Sequence, residues 1–305
     1  MIVSRFKSWL ALVILMQFCQ PAGAQELEPR AYANTPVGMK FLVAGYGHNE
    51  GDLLFDPTLP IKGAHASTDV GLLGYAQAFS VGGKSAKWSL ALPFAALDGS
   101  GLVNGTLHQR EVSGLADPLV AVSINFAGAP ALSLQEFRGY RQDTIIGATL
   151  KVSVPVGQYD EDRLVNIGTH RWSIKPELGI SQALGRWIVE GAASVAWYET
   201  NHSFFGGRTL EQDVIYSAQG HLIYSHRSGL WGALNYTYFS GGRITTDGVR
   251  SDDELGSSRV GMTLAVPLSL HHSLKFAASR GLATRTGTDF DMYLLVWQLR
   301  WGAGL

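Results

Sequence analysis

The 305 residues contain one cysteine, Cys19, and it falls inside an N-terminal apolar run. With that run removed as an export leader no cysteine is left, which excludes a disulfide framework, a metal-thiolate site and a catalytic thiol. Charge is also scarce, with Asp, Glu, Lys and Arg making up 16% of the chain against about 25% in ordinary soluble proteins. The two signs nearly cancel, 24 Lys and Arg against 25 Asp and Glu, so the electrostatic footprint of a nucleic-acid partner is missing. After the N-terminus no segment has some 18 uninterrupted apolar residues, so helical membrane spans are excluded.

What is present is glycine, 36 residues against a usual share of about 7%, together with 8 Trp and 11 Tyr. An exported chain with little charge, much Gly and aromatic, and no hydrophobic helix has the composition of a transmembrane β-barrel. The export reading rests on "MIVSRFKSWLALVILMQFCQPAGAQ", where Arg5 and Lys7 precede an apolar run from Trp9 to Phe18, and Ala22-Gly23-Ala24 forms a small-residue cleavage site before Gln25. That run is too short to span a bilayer as a helix, and Gln17-Phe18 before Cys19 lack the small residues of a lipoprotein site. The expected organisation is a cleaved signal peptide, 1–24, and one barrel, 25–305, with no linker dividing it.

Side chains alternate between the two faces of a strand, and a tilted membrane strand needs about 9 to 11 residues. In "IIGATLKVSVPV" Ile146, Ala148, Leu150, Val152, Val154 and Val156 face one way, and Gly147, Thr149, Lys151 and Ser153 the other. "KWSLALPFAA" sets Trp88, Leu90, Leu92 and Phe94 against Lys87, Ser89 and Ala91, and "RVGMTLAVPL" sets Val260, Met262, Leu264, Val266 and Leu268 against Arg259, Gly261 and Thr263. The C-terminal "MYLLVWQLRWGAGL" gathers Tyr293, Leu295, Trp297, Leu299 and Trp301 on one face, with Gln298 and Arg300 on the other. About twelve such segments recur, near 36–47, 66–79, 85–96, 115–127, 143–157, 169–183, 187–199, 212–226, 229–240, 257–269, 273–281 and 289–301, the even number a bacterial barrel requires. Their connections alternate: short at 81–84, 184–186, 226–228 and 270–272, long at 48–65, 97–113, 158–168, 200–211, 241–256 and 282–288. The exception is "GAPALSLQEFRGYRQD", 128–143, long where a turn is due, and open between a small periplasmic helix or plug and a plain loop. The fold class is all-β, a single antiparallel outer-membrane barrel of about twelve strands.

The stretches "LEPRAYANTPVGMKFLVAGYGHNEGDLLFDPTLPI", "APALSLQEFRGYRQDTIIGATLKVSVPVGQYD", "NIGTHRWSIKPELGISQALG", "FFGGRTLEQDVIYSAQGHLIYS", "YFSGGRITTDGV" and "GTDFDMYLLVWQLRWGAGL" resemble a bacterial family named for the meta-pathway of phenol degradation, whose members are usually labelled transporters. The resemblance covers essentially the whole mature chain. It implies an outer-membrane protein and carries no catalytic residues. Outer-membrane barrels generally end on an aromatic residue read by the insertion machinery, and here Gly302 to Leu305 follow Trp301, a departure that leaves open which residues are read.

Strand parity expects Trp172, Trp187, Trp197, Tyr236, Tyr238, Trp297 and Trp301 to face lipid as an aromatic girdle. It expects the lumen to be lined by Lys40, Lys87, Lys151, Arg171, Lys175, Arg259, Lys275 and Arg300 against two acids, Glu177 and Glu190, with Gln219 and His221 on the same face. Such an interior is either a packed salt-bridge plug or the wall of a narrow path. Pairing across the turn at 184–186 places Glu190 opposite Gly179 or Ser181.

The enzymatic rival is an outer-membrane phospholipase with His and Ser two apart, and His226-Arg227-Ser228 offers that spacing. These residues fall in an expected periplasmic turn, facing neither leaflet. His271-His272 cannot both face one metal from a strand. The acidic clusters Asp160-Glu161-Asp162 and Asp252-Asp253-Glu254 read as solvated loop tips. The functional expectation is passive passage of a small organic solute, aromatic or otherwise poorly permeating, across the outer membrane, with no cofactor. The alternative is a structural or surface-interaction barrel with a blocked lumen. The expected partners are outer-membrane lipid and lipopolysaccharide, the barrel-insertion machinery and the solute, with no nucleic acid.

Overall fold

A computed structural model describes residues 28–54, 61–103, 105–252 and 254–305; the expected leader and Asp253 lie outside them. In chain order the elements are β1 (Met39–Leu54), β2 (Ile61–Val81), β3 (Lys84–Val103), β4 (Thr106–Leu115), β5 (Leu119–Ala127), helix α1 (Leu134–Phe137), β6 (Thr144–Ser153), β7 (Ser173–Leu184) and β8 (Trp187–Tyr198). They continue as β9 (Asn201–Phe204), β10 (Arg208–Gln212), β11 (Ile215–Ser225), β12 (Trp231–Gly241), β13 (Ile244–Thr246), β14 (Val249–Arg250), β15 (Leu255–Pro267) and β16 (His272–Gly302).

A 12-stranded antiparallel sheet runs β2-β1-β16-β15-β12-β11-β8-β7-β6-β5-β3-β4 and closes through β2–β3. Closure leaves the lower wall without a free edge, as a bilayer demands, while β4, higher up, pairs with β3. Two elements share one stave: β4 pairs with the upper part of β3 and β5 with its lower part, and the chain between them is Ala116-Asp117-Pro118. One element supplies two staves. In β16, residues 273–286 pair with β15 and 287–302 with β1, and the Arg300 amide donates to the His271 carbonyl at 2.8 Å, so this element doubles back on itself.

Register carries face assignment around the wall. Lys87, Ser123, Thr149, Glu177, Ser194, Ser217, Phe239 and Ser257 stand opposite one another in successive pairs. Their neighbours along the strands, among them Leu150, Leu178, Tyr216 and Tyr238, are exposed on the outside. Small and polar residues therefore make up most of the inner row, with Phe239 the large apolar member, and the exposed apolar side chains meet lipid.

The short connections all lie at the end where the chain termini sit, periplasmic in barrels of this type. Gly82 and Gly83 take φ of +54° and +75°, the positive pair that a two-residue hairpin turn needs. At the other end, much of the expected loops 48–65, 97–113 and 282–288 is strand, because β1, β2, β3, β4 and β16 run on past the membrane as hairpins. The outer face of such an extension meets water and not lipid, so no long hydrophobic alternation marks it in the sequence. The loops after β8 and β12 instead form a separate 4-stranded sheet, β14-β13-β10-β9. The segment 128–143 holds α1, started by a capping box between Ser133 and Glu136, and lies on the periplasmic rim, where the Ala131 amide donates to the Gly83 carbonyl at 2.9 Å.

Candidate functional site

The candidate site is the lumen, and residues 28–38 occupy its periplasmic half. This N-terminal arm precedes β1, enters the barrel and turns back at Arg30–Ala33, where the Ala33 amide donates to the Arg30 carbonyl at 3.1 Å and Arg30 takes φ +69°. The wall holds its backbone. Lys87 Nζ donates to the Ala31 carbonyl at 2.7 Å, Asn125 Nδ2 to the Tyr32 carbonyl at 3.0 Å, and the Arg30 amide donates to Glu190 Oε2 at 2.6 Å. At the apex the Tyr32 hydroxyl donates to Glu177 Oε1 at 2.8 Å, and the side chain is 2% exposed. The ring lies where the wall has no side chains: a Cβ on Gly179 would stand 2.0 Å from it, and one on Gly147 2.7 Å. These glycines are directly opposite each other on β6 and β7. The Arg30 guanidinium sits 5.4 Å above the Trp231 ring, near the periplasmic mouth.

The polar rows continue beyond the arm. Ser181 Oγ donates to Glu190 Oε1 at 2.8 Å, Gln219 Nε2 to Glu177 Oε2 at 3.1 Å, and His221 Nδ1 shares a 2.8 Å hydrogen bond with Asn235 Oδ1. Gln219 Oε1, His221 Nε2 and Thr237 Oγ1 are buried without a hydrogen-bond partner, which leaves this wall with spare capacity for water or solute. Lys151 and Lys175 face each other across β6 and β7.

The external half is closed by other means. The loop between β6 and β7 folds inward, and Ile167 packs with Ala95 and Ala116, backed by Val70, Leu97 and Val112. Asp117, buried in the gap between β4 and β5, accepts from the Gly157 amide at 2.9 Å, the Thr169 amide at 2.8 Å and the Thr169 hydroxyl at 2.6 Å. Leu164 and Phe205 pack onto the small core Phe204, Leu210 and Ile244, joining the loop to the four-stranded sheet. At the top of β7, Arg171 is 1% exposed, with its guanidinium 4.7 Å from the Tyr198 ring and Nη2 donating to Gln212 Oε1.

Of the residues expected in the lumen, Lys87, Lys151, Arg171, Lys175, Glu177, Glu190, Gln219, His221 and Arg259 lie on the inner side, with Ser181 paired to Glu190. Arg259 donates to the Phe290 carbonyl at 2.6 Å. Lys275 and Arg300 share the inward parity but sit at the periplasmic rim, where Arg300 Nε donates to the Leu270 carbonyl at 2.6 Å. Lys40 is a correction: it pairs with Trp301 and Gln77 on the outer face. One turn from the rim, its aliphatic stem can run along the wall while the ammonium reaches the interface. The girdle candidates Trp172, Trp187, Trp197, Tyr236 and Tyr238 are exposed on the outer face, Trp297 stacks on His272, and Trp301 lies 6.1 Å from Tyr75. His226 Nδ1 and Ser228 Oγ are 2.9 Å apart in the exposed β11–β12 turn, but the Ser228 amide also donates to that nitrogen at 3.3 Å. The same nitrogen closes the turn, and among the described residues no carboxylate bonds to the ring.

No local pattern in the sequence marks Tyr32, Asn125, Asp117 or Trp231 as lumen residues. The one signal for the first was the pair Gly147 and Gly179, small residues at matching places in neighbouring strands, which mark a hollow in the wall.

A family model described as "Putative MetA-pathway of phenol degradation" matches residues 48–291. An outer membrane channel from Pseudomonas putida superposes with a TM-score of 0.78 at 23% identity, covering 90% of this chain and 100% of that one. The transport unit of the autotransporter AIDA-I from Escherichia coli gives a TM-score of 0.52 at 7% identity, covering 92% of this chain and 95% of that one. No curated protein matches significantly. At these identities the two structures are alike in fold, that of an outer-membrane barrel.

Proposed function

This chain belongs to the MetA-pathway phenol-degradation family, and from that premise we propose that it is an outer-membrane channel for the passive passage of small organic molecules, aromatic compounds among them. Its leader directs export, the insertion machinery places the barrel among outer-membrane lipid and lipopolysaccharide, and the arm is a removable closure. The observation that carries the reading is the chemistry of that closure. The wall grips the arm's backbone through hydrogen bonds, which water or a solute can replace, and its apolar anchorage is confined to one small cluster in which Tyr32 packs with Ala129 and Ile145. The pair Lys151 and Lys175 supports it too, because it places two cationic side chains on the inner face of the wall. They favour anions in transit. The solute leaves toward the periplasm; the break in the β7–β8 ladder at Lys175-Pro176 favours a sideways exit as the second route.

The alternative, a structural barrel with a blocked lumen, is favoured by the arm's presence, so the arm is what the experiment removes. Uptake of benzoate, phenol and a matched organic cation is measured in proteoliposomes with the mature chain, with a chain lacking residues 28–36, and with Gly179→Ala, whose new Cβ displaces Tyr32. A channel gives benzoate flux above empty liposomes that rises severalfold in both variants. Lys151→Glu with Lys175→Glu lowers the benzoate preference and leaves phenol little changed. No protein-dependent flux in any variant establishes the blocked barrel. Lipid hydrolysis lost in Ser228→Ala establishes an enzyme.

A further inference from the structure

The geometry points to Arg171 as a recognition site for the carboxylate of an organic anion, at the external end of the lumen. Three facts about this side chain converge. It is 1% exposed, so its charge is removed from water. Its Nε and Nη1 have no hydrogen-bond partner, and only Nη2 is engaged, by the neutral carbonyl of Gln212. Asp117, the carboxylate whose charge reaches Arg171, is committed to the amides of Gly157 and Thr169 and to the Thr169 hydroxyl. No ion pair to Arg171 exists among the described residues. A buried guanidinium with most of its donors idle is a costly arrangement, and a carboxylate is the group whose geometry matches that planar fork.

The surroundings select the rest of the ligand. The Tyr198 ring covers the guanidinium at 4.7 Å, and Tyr159 stacks on His170 at 4.6 Å in the same loop. An aromatic or otherwise flat apolar body attached to the carboxylate fits that lining better than a hydrated inorganic anion. Access comes from outside. Gln212 belongs to β10, so the Arg171–Gln212 bond ties the external sheet to the top of β7. An arriving carboxylate supplies the counter-charge that the neutral Gln212 carbonyl lacks, and two oxygens for the idle donors of the fork. Arg171 is thus a buried charge directly tied to the external sheet.

The inference rests on the channel reading, and the test separates the two. Binding of benzoate, of benzyl alcohol as its neutral counterpart, and of chloride is measured by calorimetry on the purified mature protein in detergent, with solute flux measured separately in liposomes. The expected result is saturable benzoate binding that chloride does not displace at equal concentration. Arg171→Gln weakens it at least tenfold, and benzyl alcohol is unaffected. Gln212→Leu frees Nη2 and tightens benzoate. Folding is checked by heat-dependent migration; if Arg171→Gln does not form a barrel, Arg171→Lys keeps the charge without the fork and gives intermediate affinity. The inference is overturned by equal benzoate affinity in wild type and the Arg171 variants, by no binding to wild type, or by equal displacement by chloride. Flux without Arg171-dependent binding overturns this inference alone, and binding without flux overturns the channel alone.

Discussion

The two ends of the lumen are both occupied, but with different proportions of polar and apolar contact. Below, the arm offers backbone amides and carbonyls to Lys87, Asn125 and Glu190, and its one large ring fills a hollow at Gly147 and Gly179. Above, the inward loop is pinned by a buried aspartate, and apolar packing of Ile167 and Leu164 joins it to two separate clusters. Each wall–arm hydrogen bond is an exchange with water worth only about 0.5–1.5 kcal/mol, or about 1.5–3 kcal/mol to a charged group. Apolar burial has no such substitute in water. The lower closure, held by exchangeable hydrogen bonds and one apolar anchor at Tyr32, is therefore the less costly of the two to release.

The contrast breaks most directly in the upper closure. Phe204, fully buried at the centre of the external cluster, should cost about 3–5 kcal/mol of local stability when changed to Ala. Limited proteolysis should then cut the 154–172 loop while the barrel keeps its heat-dependent migration. If the loop stays resistant, the upper closure does not depend on this core.

A smaller effect is expected below. Tyr32→Phe removes the hydrogen bond to buried Glu177 while keeping the ring, and should loosen the arm by about 1.5–3 kcal/mol. Amide exchange at residues 31–34 would speed up accordingly, with the β-strands unchanged. Equal protection in both proteins would mean that ring packing at Gly179, and not the carboxylate, holds the arm, and would bring the two closures closer in kind.

The smallest effect lies on the rim. Glu136 accepts from the Ser133 hydroxyl and the Ser133 amide, which holds its carboxyl below the usual range. A depressed folded value contributes stability that is present above the unfolded value, about 4.3, and lost as pH falls through the folded one. The rim segment contacts the arm, since the Val37 amide donates to the Leu132 carbonyl at 2.8 Å. Acidification should therefore raise exchange at Leu134–Phe137 first and the arm only slightly. Ser133→Ala should abolish that pH dependence.

Much of this molecule follows from its sequence. Period-two alternation, the cleavage-site pattern and the count of segments lead to a twelve-stranded outer-membrane barrel, because a membrane strand has lipid on one side and records that in every second residue. The same logic orders the outer aromatics and most inner charges. It failed at Lys40, near a strand end where both faces read as apolar and a flexible side chain tolerates either. It was silent where no lipid imposes a period: in the hairpins above the membrane, the four-stranded external sheet, and the segments inside the barrel. What fills the lumen was decided by tertiary structure alone. Only closure brings β3, β5, β7 and β8 around one arm, and only the external sheet laid over the wall sets Gln212 against Arg171. A partner set across the barrel, far apart in sequence, leaves no local trace beyond the two glycines that make room for Tyr32.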